Sequence, residues 1–428
     1  MIKNYFIWTL GCQMNQSDSE RIGALLETLG CQRTDVEAKA DLLVTVACSV
    51  RQSAINRIYG KAGIWAKQKK TRGLITILTG CVLGTDKKKL SRVFDLIFDI
   101  NDLPKLPELL GIDDKLIRPI PDGRYFNIEP KYENNFQAYV PISNGCNNYC
   151  AYCVVPYTRG REQSRPAKEI MAECSELIKQ GYKEITLLGQ NVNSYGHDLT
   201  NDLSFPGLLR KIDEIPGKFW LRFTSSHPKD MSDELIDTIA SGKNICENVH
   251  LPVQSGDNEI LKKMNRHYTS EHYLELIRKI KQKIPGVSVS TDVIVGFPGE
   301  TKKQFNNTAK LFQQAEFDMA YIAQYSPRFG TAAYQLTDNV PKKVKQQREE
   351  TLTKILKKTA RKYNKQLVGK TVEILIESQK KEKLIGKTKT GKTVVIPLAN
   401  KQPDLIGRWQ MVKIIKAQSF GLMGKFLL

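Results

Sequence analysis

No uninterrupted apolar run in this 428-residue chain approaches the ~18–20 residues of a membrane-spanning helix. The N-terminus also lacks the charged, apolar and small-residue succession of a secretory signal. A cytoplasmic protein with no membrane partner and reduced cysteines is therefore expected. Its nine cysteines are an odd number, which argues further against a disulfide scaffold. Acidic residues are scarce in the last fifth, where residues 341–428 hold 22 Lys+Arg against 6 Asp+Glu, a net +16 of the chain's +20. Such a field attracts polyanions and points to nucleic acid, against the plainer reading of a solvated lysine-rich surface. The length suggests two to four domains.

Six of the cysteines fall in two sets of three. Cys146, Cys150 and Cys153 lie in the run N-G-C-N-N-Y-C-A-Y-C-V-V-P. Three thiolates on one short loop can hold three irons of a [4Fe–4S] cluster, leaving the fourth iron open to bind a substrate. Zinc would require a fourth Cys or His in paired spacing, and none follows nearby. Cys12, Cys48 and Cys81 each follow an apolar run, respectively Tyr5–Leu10, Leu42–Ala47 and Leu74–Leu78. Helical patterns at 18–28 and 49–67 separate these runs, so right-handed crossovers make the three strands parallel. Their carboxyl ends then lie together at one sheet edge, where open α/β folds place ligands. Three buried cysteines acting as small hydrophobes would poorly explain the repeated placement. Cys31, Cys174 and Cys246 stand apart and read as ordinary buried cysteines.

Residues 111–135, rich in Pro, Gly, Asp and Asn, read as a linker. Six strand–helix units follow, with strands expected near 138–142, 183–188, 219–224, 248–252, 287–295 and 318–325. They predict a partial (β/α)6 TIM-like barrel with its chemistry on the loops after the strands, where Cys146, Cys150 and Cys153 fall. Other strand ends carry Gly189-Gln190-Asn191-Val192-Asn193, Thr224-Ser225-Ser226-His227-Pro228, Gln254-Ser255-Gly256 and Gly296-Phe297-Pro298-Gly299-Glu300. Glycine admits close backbone approach, and amides and hydroxyls can bind a ligand's polar groups. A long basic helix runs from Pro341 to about Gln366. Short β-rich runs at 371–376, 384–389, 393–397 and 410–417 then suggest an OB-like β-barrel. The fold class expected is thus α/β and multidomain: an N-terminal open sheet over 1–115, the barrel over 136–366 and the small β-barrel over 368–428.

The C-x-x-x-C-x-x-C spacing, with Tyr152 before the last cysteine, resembles the signature of the radical S-adenosylmethionine (SAM) enzymes. The order of the three modules looks like the methylthiotransferases of that superfamily, whose last module is the TRAM domain. T-L-G-C-Q-M-N-Q-S-D-S-E (9–20), A-C-S-V-R-Q-S-A (47–54) and L-L-G-Q-N-V-N-S-Y-G (187–196) resemble the MiaB branch, as do H-L-P-V-Q-S-G (250–256), M-N-R-H-Y-T (264–269) and D-V-I-V-G-F-P-G-E-T (292–301). This chain departs from the usual family pattern at Val46-Ala47, Val82-Leu83 and Phe329, where the family usually has Asn-Thr, Met/Leu-Ala and Pro.

The resemblance implies two [4Fe–4S] clusters and SAM. It assigns Cys146, Cys150 and Cys153 to the cluster that cleaves SAM to a radical, and Cys12, Cys48 and Cys81 to an auxiliary cluster that carries sulfur. Tyr152, Gly189, Gln190, Asn191, Ser225, Gln254 and Arg266 would seat the cofactor. The acceptor would be carbon 2 of isopentenylated adenosine in the tRNA anticodon stem-loop. An electron donor such as a flavodoxin or ferredoxin, a sulfur or cluster donor and a monomeric state are expected with it. The alternatives are a sibling methylthiotransferase acting on threonylcarbamoyl-adenosine or a ribosomal protein, and a non-catalytic iron–sulfur RNA-binding protein.

Overall fold

The protein is described by a computed structural model covering residues 2–49, 52–112, 120, 123–200, 203–398, 400 and 402–427. Its N-terminal part is a five-stranded, wholly parallel sheet in the order Gln32–Arg33, Asn4–Thr9, Leu42–Cys48, Ile75–Cys81, Leu96–Ile97. The central strand Leu42–Cys48 is buried throughout because helices cover both faces. Leu42, Val44 and Val46 pack with Ile22, Leu25 and Leu26 of helix Gln13–Thr28. Leu43 and Ala47 pack with Ile55, Ile58 and Trp65 of helix Gln52–Arg72 on the opposite side. This alternation is the two-residue period of a strand.

Sequence and structure differ here at the boundaries. The first helix begins at Gln13, five residues before the apolar period becomes visible, and Cys12 is its N-cap. Asn15, Ser17 and Asp18 hide that start, since they are polar yet buried. The second and third strands end on Cys48 and Cys81 themselves, which are direct register partners. The short outer strands at 32–33 and 96–97 have no sequence signal.

Part of the stretch expected as a linker, residues 113–119, 121 and 122, lies outside the described residues. Residues 123–135 form a strap instead of a loose connection. Tyr125 and Ile128 join the N-terminal core, while Tyr132 packs on the core of the barrel.

The barrel strands are Gln137–Pro141, Glu184–Leu188 and Trp220–Phe223 in one parallel sheet, and Asn248–His250, Ser288–Val295 and Met319–Gln324 in a second. A parallel bridge between Leu221 and Ile245 joins the two sheets into one partial barrel. Helix Lys342–Lys365 lays Leu352, Leu356 and Ala360 inward, and Arg348 forms a buried ion pair with Glu300 at 2.6 Å.

The C-terminal module is a closed five-stranded barrel: Thr371–Lys380, Lys383–Thr388, Thr393–Pro397, Gly421–Phe426 and Trp409–Gln418 in ring order. Its last strand, Gly421–Phe426, is interrupted by glycine and escapes a propensity reading. The module is sealed onto the larger barrel. Trp409 meets Trp220 at 4.4 Å between ring centroids, and Arg222 donates to the carbonyls of Thr388 at 2.9 Å and Lys389 at 2.8 Å.

Candidate functional site

The loop bearing Cys146, Cys150 and Cys153 is closed at its base by an antiparallel pairing of Ser143–Asn144 with Gln163–Ser164. Gly145 (φ +84°) has no room for a side chain there, because a Cβ would lie 2.1 Å from the Arg161 carbonyl oxygen. Each sulfur of this triad has a nitrogen donor. Asn148 Nδ2 donates to Cys146 Sγ at 3.5 Å, Val155 N to Cys153 Sγ at 3.5 Å and Arg266 Nη1 to Cys150 Sγ at 3.4 Å. Burial pushes the Cys146 thiol up and that of Cys153 to about 12, so the bare thiols are protonated near neutrality. The donors favour the thiolates that iron coordination would generate.

The second triad gathers at the carboxyl edge of the N-terminal sheet. Cys12 is exposed at its helix N-cap, while Cys48 and Cys81 are buried beside one another. Asn15 ties this edge together. Its Nδ2 donates to the carbonyls of Leu10 at 2.9 Å and Ala47 at 2.8 Å, and its Oδ1 faces Cys12 Sγ at 3.7 Å and Cys81 Sγ at 3.9 Å. Gly11 and Gly80 permit the close approach, since a Cβ on Gly11 would stand 2.9 Å from Cys48 Cβ and one on Gly80 2.6 Å from the Ala47 carbonyl oxygen.

Arg159 ties the barrel's cysteine loop to the N-terminal triad. It lies on the barrel's cysteine loop, yet its Nε reaches Cys81 Sγ at 2.9 Å and Nη1 reaches Asn144 Oδ1 at 3.0 Å. Its Nη2 pairs with Asp18 of the first helix, both side chains being fully buried. Neither Asn15 nor Arg159 emerges from the sequence pattern. The available signals are the three-residue step from Cys12 to Asn15 and an arginine inside an otherwise cysteine-bearing loop.

Gly189, Gln190, Asn191, Ser225 and Gln254 follow successive barrel strands, Tyr152 lies on the cysteine loop and Arg266 follows the helix Asn258–Lys263. Gln190 Oε1 accepts from the Gly145 amide. Gly189 leaves space beside Ser143, whose Oγ would be 2.7 Å from an added Cβ. Asn191 Nδ2 donates to Asp230 Oδ2 at 2.7 Å, and the Ser225 carbonyl accepts from Val192 N at 3.1 Å. Arg266 donates from Nη2 to the Pro252 carbonyl at 2.8 Å and from Nε to Tyr268 Oη at 2.8 Å. The Tyr152 phenol lies in the field of Arg266, Cys150 and Cys153, and burial raises its pKa. His227, 5.6 Å from the Tyr268 ring, is pushed down to about 2 by burial and then by Arg266, so it is neutral near pH 7.

One expected group turns elsewhere. Glu300 accepts from the Gly296 amide at 2.7 Å and pairs with Arg348, which makes the fifth strand's Gly-Pro turn a brace for the long helix. Cys31, Cys174 and Cys246 are all buried away from both triads.

Three observations test whether these residues fit the expected groups. Among the described residues, no three His, Cys, Asp or Glu side chains close around a single ion. Tetrahedral zinc with bonds of ~2.3 Å would need sulfurs about 3.8 Å apart. An iron–sulfur cluster spreads its thiolates more widely, and donor sets made of three cysteines suit it. Next, Ser143 Oγ, Asn191 Oδ1 and Ser226 Oγ, which follow the first three barrel strands, are buried without a partner. Such orphans are costly unless a ligand satisfies them. Last, Tyr149, Ser225, Gln254 and Asn265 all hold positive φ at this mouth (45°, 67°, 66° and 57°), and strain of that kind concentrates at ligand sites. The residues fit both a cluster and a polar cofactor.

Comparison with known proteins agrees. Residues 140–312 match the radical SAM superfamily, residues 4–99 match the uncharacterized protein family UPF0004, and residues 365–427 match the TRAM domain. Solved structures share the fold. The radical SAM methyltransferase TsrM from Kitasatospora setae, with cobalamin and a [4Fe–4S] cluster bound, superposes with a TM-score of 0.55 over 78% of this chain and 77% of its own, at 15% identity. The cobalamin-dependent SAM radical enzyme OxsB, with SAM bound, gives 0.54 over 82% of this chain and 56% of its own, at 11% identity. Fold and site together define a radical SAM protein with an appended TRAM barrel.

Relatives along the full length narrow this. A tRNA-2-methylthio-N(6)-dimethylallyladenosine synthase of Clostridium botulinum is 44% identical over 99% of this chain and 97% of its own. Those of Clostridium novyi and Clostridium perfringens are 42% and 41% identical, each over 99% of this chain. The chain belongs to the tRNA-2-methylthio-N(6)-dimethylallyladenosine synthase family of radical SAM methylthiotransferases.

Proposed function

We propose that this protein inserts a methylthio group at carbon 2 of isopentenylated adenosine next to the tRNA anticodon. The carrying observation is the full-length identity to synthases of that name, on a chain whose barrel cysteine loop reaches the N-terminal triad through Arg159. The branch named by these relatives favours this substrate over threonylcarbamoyl-adenosine or a ribosomal protein.

Cys146, Cys150 and Cys153 hold the SAM-cleaving [4Fe–4S] cluster in this reading, and Cys12, Cys48 and Cys81 hold the auxiliary one. When bound, the two clusters and SAM supply a carbon-centred radical that removes hydrogen from the adenine and a methylated sulfur that takes its place. Arg266 fixes a positive charge beside Cys150 and braces the cofactor's side of the pocket. Asn191, Ser225, Gln254 and Gln190 offer polar groups to SAM, Gly189 leaves room for it, and Tyr152 packs behind the cysteine loop. Asn15 keeps the sheet edge in shape while the target base stands between the two sites. The adenine leaves its loop stack to reach that position. A cytoplasmic monomer served by a flavodoxin- or ferredoxin-type electron donor and a separate sulfur donor completes the proposal.

Nucleoside mass spectrometry tests it. Anaerobically loaded protein, reductant, SAM and isopentenylated tRNA should yield the 2-methylthio nucleoside. A protein with Cys12, Cys48 and Cys81 all changed to Ala should still release 5′-deoxyadenosine but form no such product. Product on a different nucleoside would overturn the substrate, and loss of cleavage in a folded variant would overturn the division of labour.

A further inference from the structure

The mouth of the barrel carries two aromatic pairs that the reaction site does not use. Tyr149 and Tyr157 meet edge-on with centroids 6.4 Å apart, and are 43% and 53% exposed. Phe329 and Tyr334 meet at 5.2 Å, and are 55% and 42% exposed. Single exposed aromatics are ordinary, but four of them at one rim form an apolar surface that water alone would not favour.

Both pairs are held firmly by backbone. Tyr149 has φ of 45°, and its carbonyl accepts from Asn265 Nδ2 at 3.0 Å. The turn Ala332–Gln335 that presents Tyr334 is pinned where Ala333 N donates to the Ala151 carbonyl at 2.7 Å and where Tyr325 Oη donates to the Ala333 carbonyl at 3.0 Å. Ala151 lies between Cys150 and Cys153, so the cysteine loop that carries Tyr149 and Tyr157 also anchors the turn of the second pair. Arg328, just before Phe329, donates to Gln52 across the cleft, which brings this rim against the N-terminal domain that holds the second triad. Exposed Arg161 stands on the cysteine loop, and exposed Lys262 and Lys263 end the neighbouring helix Asn258–Lys263.

We propose that Tyr149, Tyr157, Phe329 and Tyr334 are a stacking platform for the unpaired anticodon-loop bases on either side of the target adenosine. The inference rests on the tRNA reading above and deepens it. Extruding one base leaves its neighbours without a stacking partner, and rigid aromatic faces replace it at little entropic cost. The flanking cations match a phosphate backbone better than an apolar protein surface.

The test uses full-length, anaerobically loaded protein and a synthetic isopentenylated anticodon stem-loop with 2-aminopurine at a loop position beside the target. The double variant F329L/Y334L keeps apolar bulk but removes the rings. It should weaken stem-loop binding roughly tenfold or more and abolish the 2-aminopurine quench, with iron content and salt dependence unchanged. F329W/Y334L should restore the quench, and Y149L/Y157L should affect the position on the other side of the target. Wild-type affinity and quench in F329L/Y334L would overturn the platform. So would intact stem-loop binding with impaired reduction by a flavodoxin-type donor, which would make the rim a protein dock. If wild-type protein binds and quenches the stem-loop yet forms no 2-methylthio nucleoside, the functional reading fails while the platform stands.

Discussion

Arg159 Nε lies 2.9 Å from Cys81 Sγ, so a guanidinium carried by the barrel's cysteine loop touches a sulfur of the N-terminal triad. Asp18 balances the charge, and the second Asp18 oxygen accepts from Tyr125 Oη at 2.6 Å. Burial pushes the Cys81 thiol to about 12, and Arg159 pulls against that rise. With Cys81 as a ligand of the proposed auxiliary cluster, a fixed cation there stabilises added negative charge, hence the reduced state.

Arg159 is therefore expected to set the potential of the auxiliary cluster. Removing the arginine alone would strand buried Asp18, a defect worth about 3–5 kcal/mol. The paired change Asp18→Asn with Arg159→Gln avoids it. In a background lacking Cys146, Cys150 and Cys153, this pair should lower the midpoint potential and alter the paramagnetic resonance of the remaining cluster. An unmoved signal would reduce Arg159 to an interdomain clamp.

The radical triad makes a stoichiometric prediction. Reconstituted wild-type protein should hold ~8 irons, and Cys146, Cys150 and Cys153 changed together to Ala should leave ~4 with SAM cleavage abolished. Iron analysis beside a 5′-deoxyadenosine assay decides it; full iron in the variant would show that these cysteines hold no cluster.

What the sequence made legible follows from how local each signal is. The runs before Cys48 and Cys81 are largely apolar over their own length, so their neighbours hardly matter. Asp18 and Arg159 are polar residues buried by contact between modules far apart in the chain, and Asn15 is buried against Ala47, 32 residues on, which no local pattern reveals. Trp409, one residue before the expected strand 410–417, covers Trp220 of the larger barrel. Glu300 reads as a pocket residue because its partner, Arg348, comes 48 residues later.

Glu20 should make stability depend on pH. Burial is the main cause that raises its carboxyl to about 7, opposed by the Glu133 amide that donates to Oε1 at 3.2 Å, while Oε2 has no partner. A raised acid pKa means that the fold prefers the protonated form. The stabilising contribution is then complete below the unfolded value near 4.5 and is lost as pH rises through about 7. Glu20→Gln removes this loss, so metal-free variant and parent should melt alike near pH ~5 while the variant gains on the order of 2 kcal/mol near pH ~8. Equal melting temperatures at both values would refute it.

Electrostatic affinity for tRNA should reside largely on the helix Lys342–Lys365, beside the TRAM barrel. Lys357, Lys358, Arg361, Lys362 and Lys365 line one groove with Ser419 of the barrel. Lys362 is engaged by Glu316 at 2.7 Å, which leaves four cations facing an incoming backbone. Deleting the barrel is a poor probe of this surface, because it would expose Trp220 and remove the carbonyls that satisfy Arg222. Lys357, Lys358, Arg361 and Lys365 changed together to Gln leave the core untouched, since all four are solvent-facing. Every phosphate no longer neutralised should lower the slope of log affinity against log salt by roughly 0.9, so the four changes together should reduce it by about 3–4 and weaken binding at low salt. Iron content should stay at the parent level. A slope and affinity equal to the parent's would move the phosphate track off this helix and leave the surface lysines of the barrel to carry it.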